Sequence, residues 1–228
     1  MGIDIGAIQN IDGLIFSLDA ANYRSYSGSG LTSYGLVGGI GATLVNGTGY
    51  TSDGGGSFVF DGTNDYVITS ANVGPLGANP RTICIWFYMP STQRKNVYGY
   101  GQLVGGSIFD IITWDSDGFN RVIGHYAGGG YDTLGSMPSR NTLNVPGWNF
   151  VVHTYNGSTV SLYTNTVFSN STNLNLTTLD GPLTLGKGTY DPYDHFTGKV
   201  SNIQIYNRVL TTAEIQQNFN SMRGRYNL

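Results

Sequence analysis

Polar and apolar residues alternate with a period of two along much of this chain. Near its end, Ile203 and Ile205 fall on one side of a run whose other side is Asn202, Gln204 and Tyr206, the pattern of a half-buried strand spanning 198–207. The same reading gives strands at 14–18, 58–60, 66–69, 108–114, 121–126, 148–155, 159–164 and 182–186. Residues 82–88 differ: Ile83, Ile85 and Phe87 alternate with Cys84, Trp86 and Tyr88, so both sides are apolar and the strand reads as central. One stretch has helical spacing. Ile215 and Phe219 stand four apart in a helix over 212–222, Thr211 or Thr212 can cap it, and Glu214 can reach back as in a capping box. Such a helix must cover the edge or back of a sheet.

Turn residues separate these elements. Asn156-Gly157 predicts a hairpin between 148–155 and 159–164, and the Asp-Gly-Thr-Asn-Asp run at 61–65 predicts another between 58–60 and 66–69. Asp115-Ser-Asp-Gly118 reads as a turn, 23–41 and 187–196 as loops, 131–145 as a loop or poorly defined edge, and 166–180 as a polar outer edge strand. The fold class is all-β, a two-sheet antiparallel jelly-roll sandwich with one short C-terminal helix. Cys84, Trp86, Phe150, Val152, Leu162 and Ile203 are expected in its core. A lead-in or docking arm, residues 1–12, precedes a single domain over 13–228.

Composition narrows the partners. Only 11% of the 228 residues are charged, the net charge is −3, and no basic run occurs, which argues against nucleic acid and anionic membranes. No apolar run approaches a membrane span, and residues 1–12 lack the features of an export signal. The single cysteine, Cys84, rules out a disulfide framework within the chain. The Asn-x-Ser/Thr matches at Asn46, Asn156, Asn170 and Asn175 are read as chance in the absence of such a signal.

Three stretches resemble a known family. The closing run Gly198, Val200, Ile203, Ile205, Tyr206, Asn207, Arg208, Leu210, Glu214, Ile215 resembles the closing signature of concanavalin A-like domains of the laminin-G and pentraxin type. GGSFVFDGTNDYV at 55–67 is similar to their early strand pair. The opening LIFSLDAANYRSYSGSG at 14–30, with the tail IQQNFNSMRGRYNL, resembles the stand-alone versions found among tailed-phage virion proteins. The resemblance spans about 13–225.

Glucanases share this fold, and the resemblance implies a pair of glutamates in such an enzyme. Retaining glycosidases need two carboxylates about 5 Å apart. This chain has one glutamate, Glu214, in the predicted helix; Asp115 and Asp117, the nearest alternative pair, read as turn formers. His125, His153 and His195 accompany no nucleophile motif, and His153 reads as structural. The chain is therefore expected not to be an enzyme.

No cofactor is required by these residues; calcium is the one the family admits. Pentraxins carry an acidic cluster directly after the penultimate strand, where this chain has Lys187, Gly188 and Thr189, with acids only at Asp191 and Asp194. Those two are the candidate calcium ligands; Asp61 and Asp65 read as turn formers first. What remains is a rim of aromatic and polar residues: Tyr98, Tyr100, Trp114, Asp115, Asp117, Tyr126, Tyr131, Asp132 and the Tyr190–His195 run. Within it, Trp114, Tyr131, Asp132, Tyr190, Asp191, Tyr193 and Asp194 are the expected ligand contacts, with Pro192 stiffening the loop.

The resemblance implies a virion protein of a tailed phage, made in the host cytoplasm and displayed as a capsid decoration or a fibre or tail appendage. Its expected partners are other virion proteins, further copies of itself, and cell-surface glycans held weakly and multivalently. The alternative is a capsid cement protein with no small ligand; a glycan hydrolase ranks below both.

Overall fold

In a computed structural model, which describes residues 8–102, 104, 106–114, 122–127, 143–189 and 195–228, the doubly apolar run becomes β7, the middle of a sheet buried on both faces. Ile83, Ile85 and Phe87 enter one apolar core, while Cys84 and Trp86 enter a second core on the opposite face. In chain order the strands are β1 Leu14–Asp19, β2 Thr32–Tyr34, β3 Gly41–Val45, β4 Gly49–Thr51, β5 Ser57–Asp61, β6 Tyr66–Thr69, β7 Arg81–Met89, β8 Lys95–Gly99, β9 Asp110–Trp114, β10 Val122–Tyr126, β11 Gly147–Tyr155, β12 Thr159–Thr164, β13 Val167–Asn173, β14 Thr184–Leu185 and β15 Thr197–Tyr206. Helix α1 spans Thr212–Met222, and 3-10 turns occupy Asp53–Gly55 and Arg223–Tyr226.

Among the described residues these strands form two antiparallel sheets. The back sheet runs β13-β12-β11-β7-β15-β5-β4, with β1 also paired to β15; the front sheet runs β10-β9-β8-β14-β6-β3-β2. The expected sandwich is present. Cys84, Trp86, Phe150, Val152, Leu162 and Ile203 are all buried, but they divide between two cores. Leu162 and Ile203 lie between the sheets; Cys84, Trp86, Phe150 and Val152 lie under α1.

The 61–65 run does not make the expected hairpin. β5 pairs with β4 and β15 in the back sheet, whereas β6 pairs with β14 and β3 in the front sheet. The turn is a corner between sheets. The Asp65 carboxylate accepts from Asp61 N (3.2 Å) and the Asp61 carboxylate accepts from Thr63 N (2.7 Å), so both acids shape the corner. The Asn156-Gly157 hairpin does form, with β11 paired to β12 and the Asn156 carboxamide accepting from Thr159 N (2.8 Å). The polar run 166–180 supplies the edge strand β13 over its first half only. Strands β2, β3, β4 and β8 had no strong alternation and went unforeseen.

Helix α1 packs on the back sheet through Ile215 and Met222, with Phe219 half-buried beside them. Its start is the capping box: Thr211 Oγ1 accepts from Glu214 N (3.3 Å) and Glu214 accepts from Thr211 N (2.7 Å). Arg208 adds a two-pronged ion pair to Glu214 (2.7 and 3.0 Å). The segment before β1 is tied to the same helix. Asn10 N donates to the Asn218 side chain (2.8 Å), Gln217 donates to Ile8 O (2.7 Å), and Tyr206 Oη donates to Asn10 O (2.9 Å).

Those hydrogen bonds, with Arg208 foremost, hold the Glu214 carboxyl down at about 2, against an ordinary 4.5. Its folded pKa is depressed, so its stabilisation is present above pH 4.5 and is lost as pH falls toward 2. Glu214→Gln keeps an acceptor for the capping box but removes the charge paired with Arg208, and is expected to lower stability by about 1 kcal/mol at pH 7. The gap from the native protein should close at acid pH, read from urea midpoints; equal midpoints at pH 7 would show that the carboxylate charge contributes nothing.

Candidate functional site

The front sheet carries a polar floor on its outer face. Asp110 on β9 and Asn96 on β8 are both buried, although each points away from the apolar core between the sheets. What covers them is the chain just after β14. A Cβ on Gly188 would lie 2.3 Å from the Asn96 side chain and 2.7 Å from an Asp110 oxygen, so only glycine passes this close. Thr189 then clamps down, its N–H donating to one Asp110 oxygen (2.7 Å) and its hydroxyl to the other (2.9 Å). The Asn96 carbonyl oxygen has no hydrogen-bond partner among the described residues.

The other end of this loop is also fixed. Phe196 N donates to Gly186 O (2.8 Å), closing the neck, and Gly186 N donates to Val97 O (2.8 Å). Lys187 places its ammonium over the Tyr66 ring, 3.8 Å from the centroid, and buried His195 packs against the same ring at 6.4 Å. Burial lowers the pKa of both Lys187 and His195, and Lys187 depresses His195 further. Thr189 and His195, the described residues on either side of 190–194, are thus both held in place.

Of the expected ligand contacts, Tyr131, Asp132, Tyr190, Asp191, Tyr193 and Asp194 lie outside the described residues, as do Asp115 and Asp117. Trp114 ends β9 as expected, its Cα paired with Val122 of β10. Two rim assignments are corrected. Tyr98 and Tyr100 are fully buried: Tyr98 Oη meets His153 Nδ1 at 2.7 Å, and Tyr100 Oη accepts from Arg81 (2.8 Å). Both were expected on loops at the rim, but Tyr98 lies in β8, Tyr100 follows it directly, and both rings turn into the apolar core.

Calcium of the pentraxin type finds no carboxylate at the positions following β14. Lys187 is engaged with Tyr66 there and Thr189 is committed to Asp110. Among the described residues no cluster of three His, Cys, Asp or Glu side chains could hold a metal ion.

Two charged residues that sequence reasoning missed govern this region. Arg81 is fully buried between the sheets and donates to Tyr100 Oη, Thr178 Oγ1 (2.9 Å) and the carbonyl of Asn79 (2.9 Å). Its guanidinium also faces the Phe109 and Tyr155 rings at 5.1 and 5.2 Å. The His153 ring stacks on Phe109 at 3.8 Å, and His125 lies 4.9 Å from His153. Burial, aided by Arg81, pulls both histidines below their usual range, His125 to about 3. They are interior, neutral, packed groups, which fits the structural reading of His153. The available signal was a charge embedded in an apolar run: Arg81 opening 82–88, and Asp110 within 108–114.

A family model described as the concanavalin A-like lectin/glucanases superfamily matches residues 61–216, and the chain belongs to that superfamily. A search of curated proteins finds no match. Among solved structures, the chain is similar to domain 4 of AbnA, a GH43 extracellular arabinanase from Geobacillus stearothermophilus, in complex with arabinotriose. The TM-score is 0.70 at 16% identity, over 90% of this chain and 97% of that one. It is also similar to Trypanosoma rangeli sialidase (0.69, 14% identity, 97% of this chain) and to the binding domain of Paraclostridial mosquitocidal protein 1 (0.68, 16% identity, 92% of this chain). The match takes in 35% of the sialidase chain and 52% of the mosquitocidal chain. At these identities the likeness is one of fold.

Burial raises the Asp110 carboxyl from its ordinary 3.8 to about 7, against the pull of the Thr189 hydrogen bonds. The folded state therefore binds the proton more tightly than the unfolded chain. Stability from this group is fullest below pH 3.8 and falls as pH rises toward 7. Buried His125 and His153 act in the opposite sense below their ordinary 6.5, so the comparison is made against a variant that keeps both. Relative to Asp110→Asn, the native protein is expected to lose stability between pH 5 and pH 8, measured by urea unfolding. A difference that does not change with pH would show that Asp110 titrates as an ordinary carboxylate.

Proposed function

We propose that this chain is a non-enzymatic, lectin-like domain that binds glycans weakly and is displayed in many copies on a tailed-phage particle. The observation that carries the glycan reading is the two-way coverage of the arabinanase domain. Nearly all of this chain corresponds to nearly all of one domain solved in complex with arabinotriose. The phage part draws on the resemblance at 14–30 and in the C-terminal tail. Many copies on one particle would convert weak single contacts into firm attachment.

The non-enzymatic part rests on Glu214. The lone glutamate is consumed by its helix cap and by Arg208, and a carboxyl held at about 2 is a poor general acid. Its partner in a retaining or inverting pair would have to be an aspartate across the cleft. The ligand site in this reading is the expected rim, comprising Trp114, Tyr131, Asp132, Tyr190, Asp191, Tyr193 and Asp194, with Asp191 and Asp194 as the calcium candidates. A capsid-cement role is the second reading, favoured by exposed Leu31, Tyr34 and Leu36 around β2.

A glycan array with the purified chain is expected to give binding that falls at least tenfold in the double variant Trp114→Ala, Tyr193→Ala. No reducing ends should be released from the bound polysaccharides. Binding that persists in excess chelator removes calcium from the mechanism. A blank array, with the 31–36 surface buried against other chains in a map of the particle, would establish the cement role instead.

A further inference from the structure

The back of the molecule carries a second site-like feature, away from the rim. Two shallow clefts flank the 3-10 turn Asp53–Gly55. One, of about 470 Å³, is lined by Asn144, Pro146, Gly147, Trp148, Tyr226 and Leu228 among others. The other, of about 520 Å³, is lined by Asp19, Ala21, Asn22, Tyr23, Gly55 and Arg225. Both volumes suit a small ligand.

The clefts are neighbours. A Cβ on Gly54 would lie 2.8 Å from both the Trp148 and Tyr226 rings, and one on Gly55 would lie 3.3 Å from Arg225. Consecutive Cα atoms are about 3.8 Å apart, so one peptide unit separates the wall of one cleft from that of the other. The Tyr226 ring bridges them, 4.7 Å from Trp148 and 5.4 Å from the Arg225 guanidinium. Both glycines have positive φ, and the Trp148 and Tyr226 rings pack directly against Gly54, so the wall between the clefts is ring face and glycine backbone.

We propose that these clefts form one groove that binds an uncharged oligosaccharide, stacking sugar faces on Trp148 and Tyr23 with hydroxyls directed at the Asp19–Arg225 pair. Tyr23 is 78% exposed and Trp148 half-buried, so flat apolar surface stands at each end. The polar middle is held rigid. Arg225 forms a two-pronged pair with Asp19 (2.8 and 3.0 Å) and also donates to Gly54 O (3.1 Å) and Ser201 Oγ (2.9 Å). Charge selects against acidic ligands. Arg225 is neutralised by Asp19, and Lys199, over the Tyr88 ring that abuts Trp148, is neutralised by Asp53. The groove therefore offers hydrogen-bonding groups without net charge.

The inference rests on the glycan reading of the chain but not on the rim. Arabinotriose, a neutral hexose oligosaccharide set and a sialylated set are titrated into the ¹⁵N-labelled chain. At least one neutral glycan is expected to shift the Trp148 indole and the Gly54 and Gly55 amides. Tyr23→Ala, at an exposed position, should weaken that binding at least fivefold, and Trp148→Phe should weaken it less. The rim variant Trp114→Ala, Tyr193→Ala should leave it unchanged. Shifts confined to rim residues would overturn the groove while keeping the glycan reading. No shifts with any glycan would overturn both. Preference for sialylated ligands at Trp148 would overturn the neutral-sugar assignment.

Discussion

The Trp86 indole is held in a cluster of rings on the back sheet. Tyr226 stacks on it at 4.1 Å, Phe219 at 5.5 Å, and Phe150 packs at 4.9 Å. Burying rings of this size contributes a large apolar area plus roughly 0.5–1.5 kcal/mol per well-placed pair. The cluster holds α1 and the C-terminal turn on the sheet, and other features follow from it. Tyr226 brings Arg225 to Asp19, Asn218 on α1 holds the segment before β1, and the 3-10 turn Asp53–Gly55 packs between Trp148 and Arg225. Three polar groups in or beside this layer, Trp86 Nε1, Asn202 Oδ1 and Tyr226 Oη, have no partner among the described residues. Apolar stacking outweighs their desolvation here, at a cost of about 1–3 kcal/mol for each such group.

The second core, between the sheets, solves a different problem. It encloses a guanidinium that has no carboxylate among its hydrogen-bond partners in the described residues, and a buried cation is tolerable only when its donors are met. Arg81 meets them with hydroxyls, carbonyls and two ring faces, and the resulting network ties β7 to Tyr100, just past β8, and to Thr178 beyond β13. On the far side of the front sheet Asp110 is the counterpart, a buried carboxylate satisfied by Thr189. Each charge fixes a non-repetitive segment to a sheet, which backbone ladders alone would not do.

The fold therefore presents two chemically distinct surfaces. On the front, a polar floor holds Gly188 and Thr189, the described residues that lead into 190–194. On the back, aromatic faces and neutralised ion pairs surround bare glycine backbone. Were both proposed sites to bind, two weak contacts on one domain would raise avidity or engage two stretches of one glycan.

Read by itself, the sequence determined the elements whose sides differ chemically. The alternation at 202–206 set Ile203 and Ile205 opposite Asn202, Gln204 and Tyr206, although that second side, expected to be exposed, is buried under α1 as well; the two-sided run at 82–88 placed β7 at the centre of a sheet, and Thr211 with Glu214 marked the start of the helix. These signals are local, because strand and helix periods are set by backbone geometry over a few residues. The family was legible for the same reason, through the 198–215 run. Tertiary structure alone decided which sheet each strand joins. The 61–65 turn has the residues of a hairpin, yet it is a corner, because pairing partners are chosen by contacts remote in sequence: β5 by β15, and β6 by β14. It likewise decided that Tyr98 and Tyr100 point inward, that Arg81 and Asp110 are buried, and that Trp148, Arg225 and Tyr23 share one face. Positions 23, 148 and 225 carry no common pattern along the chain; only the packing of the C-terminal turn on the back sheet brings them together.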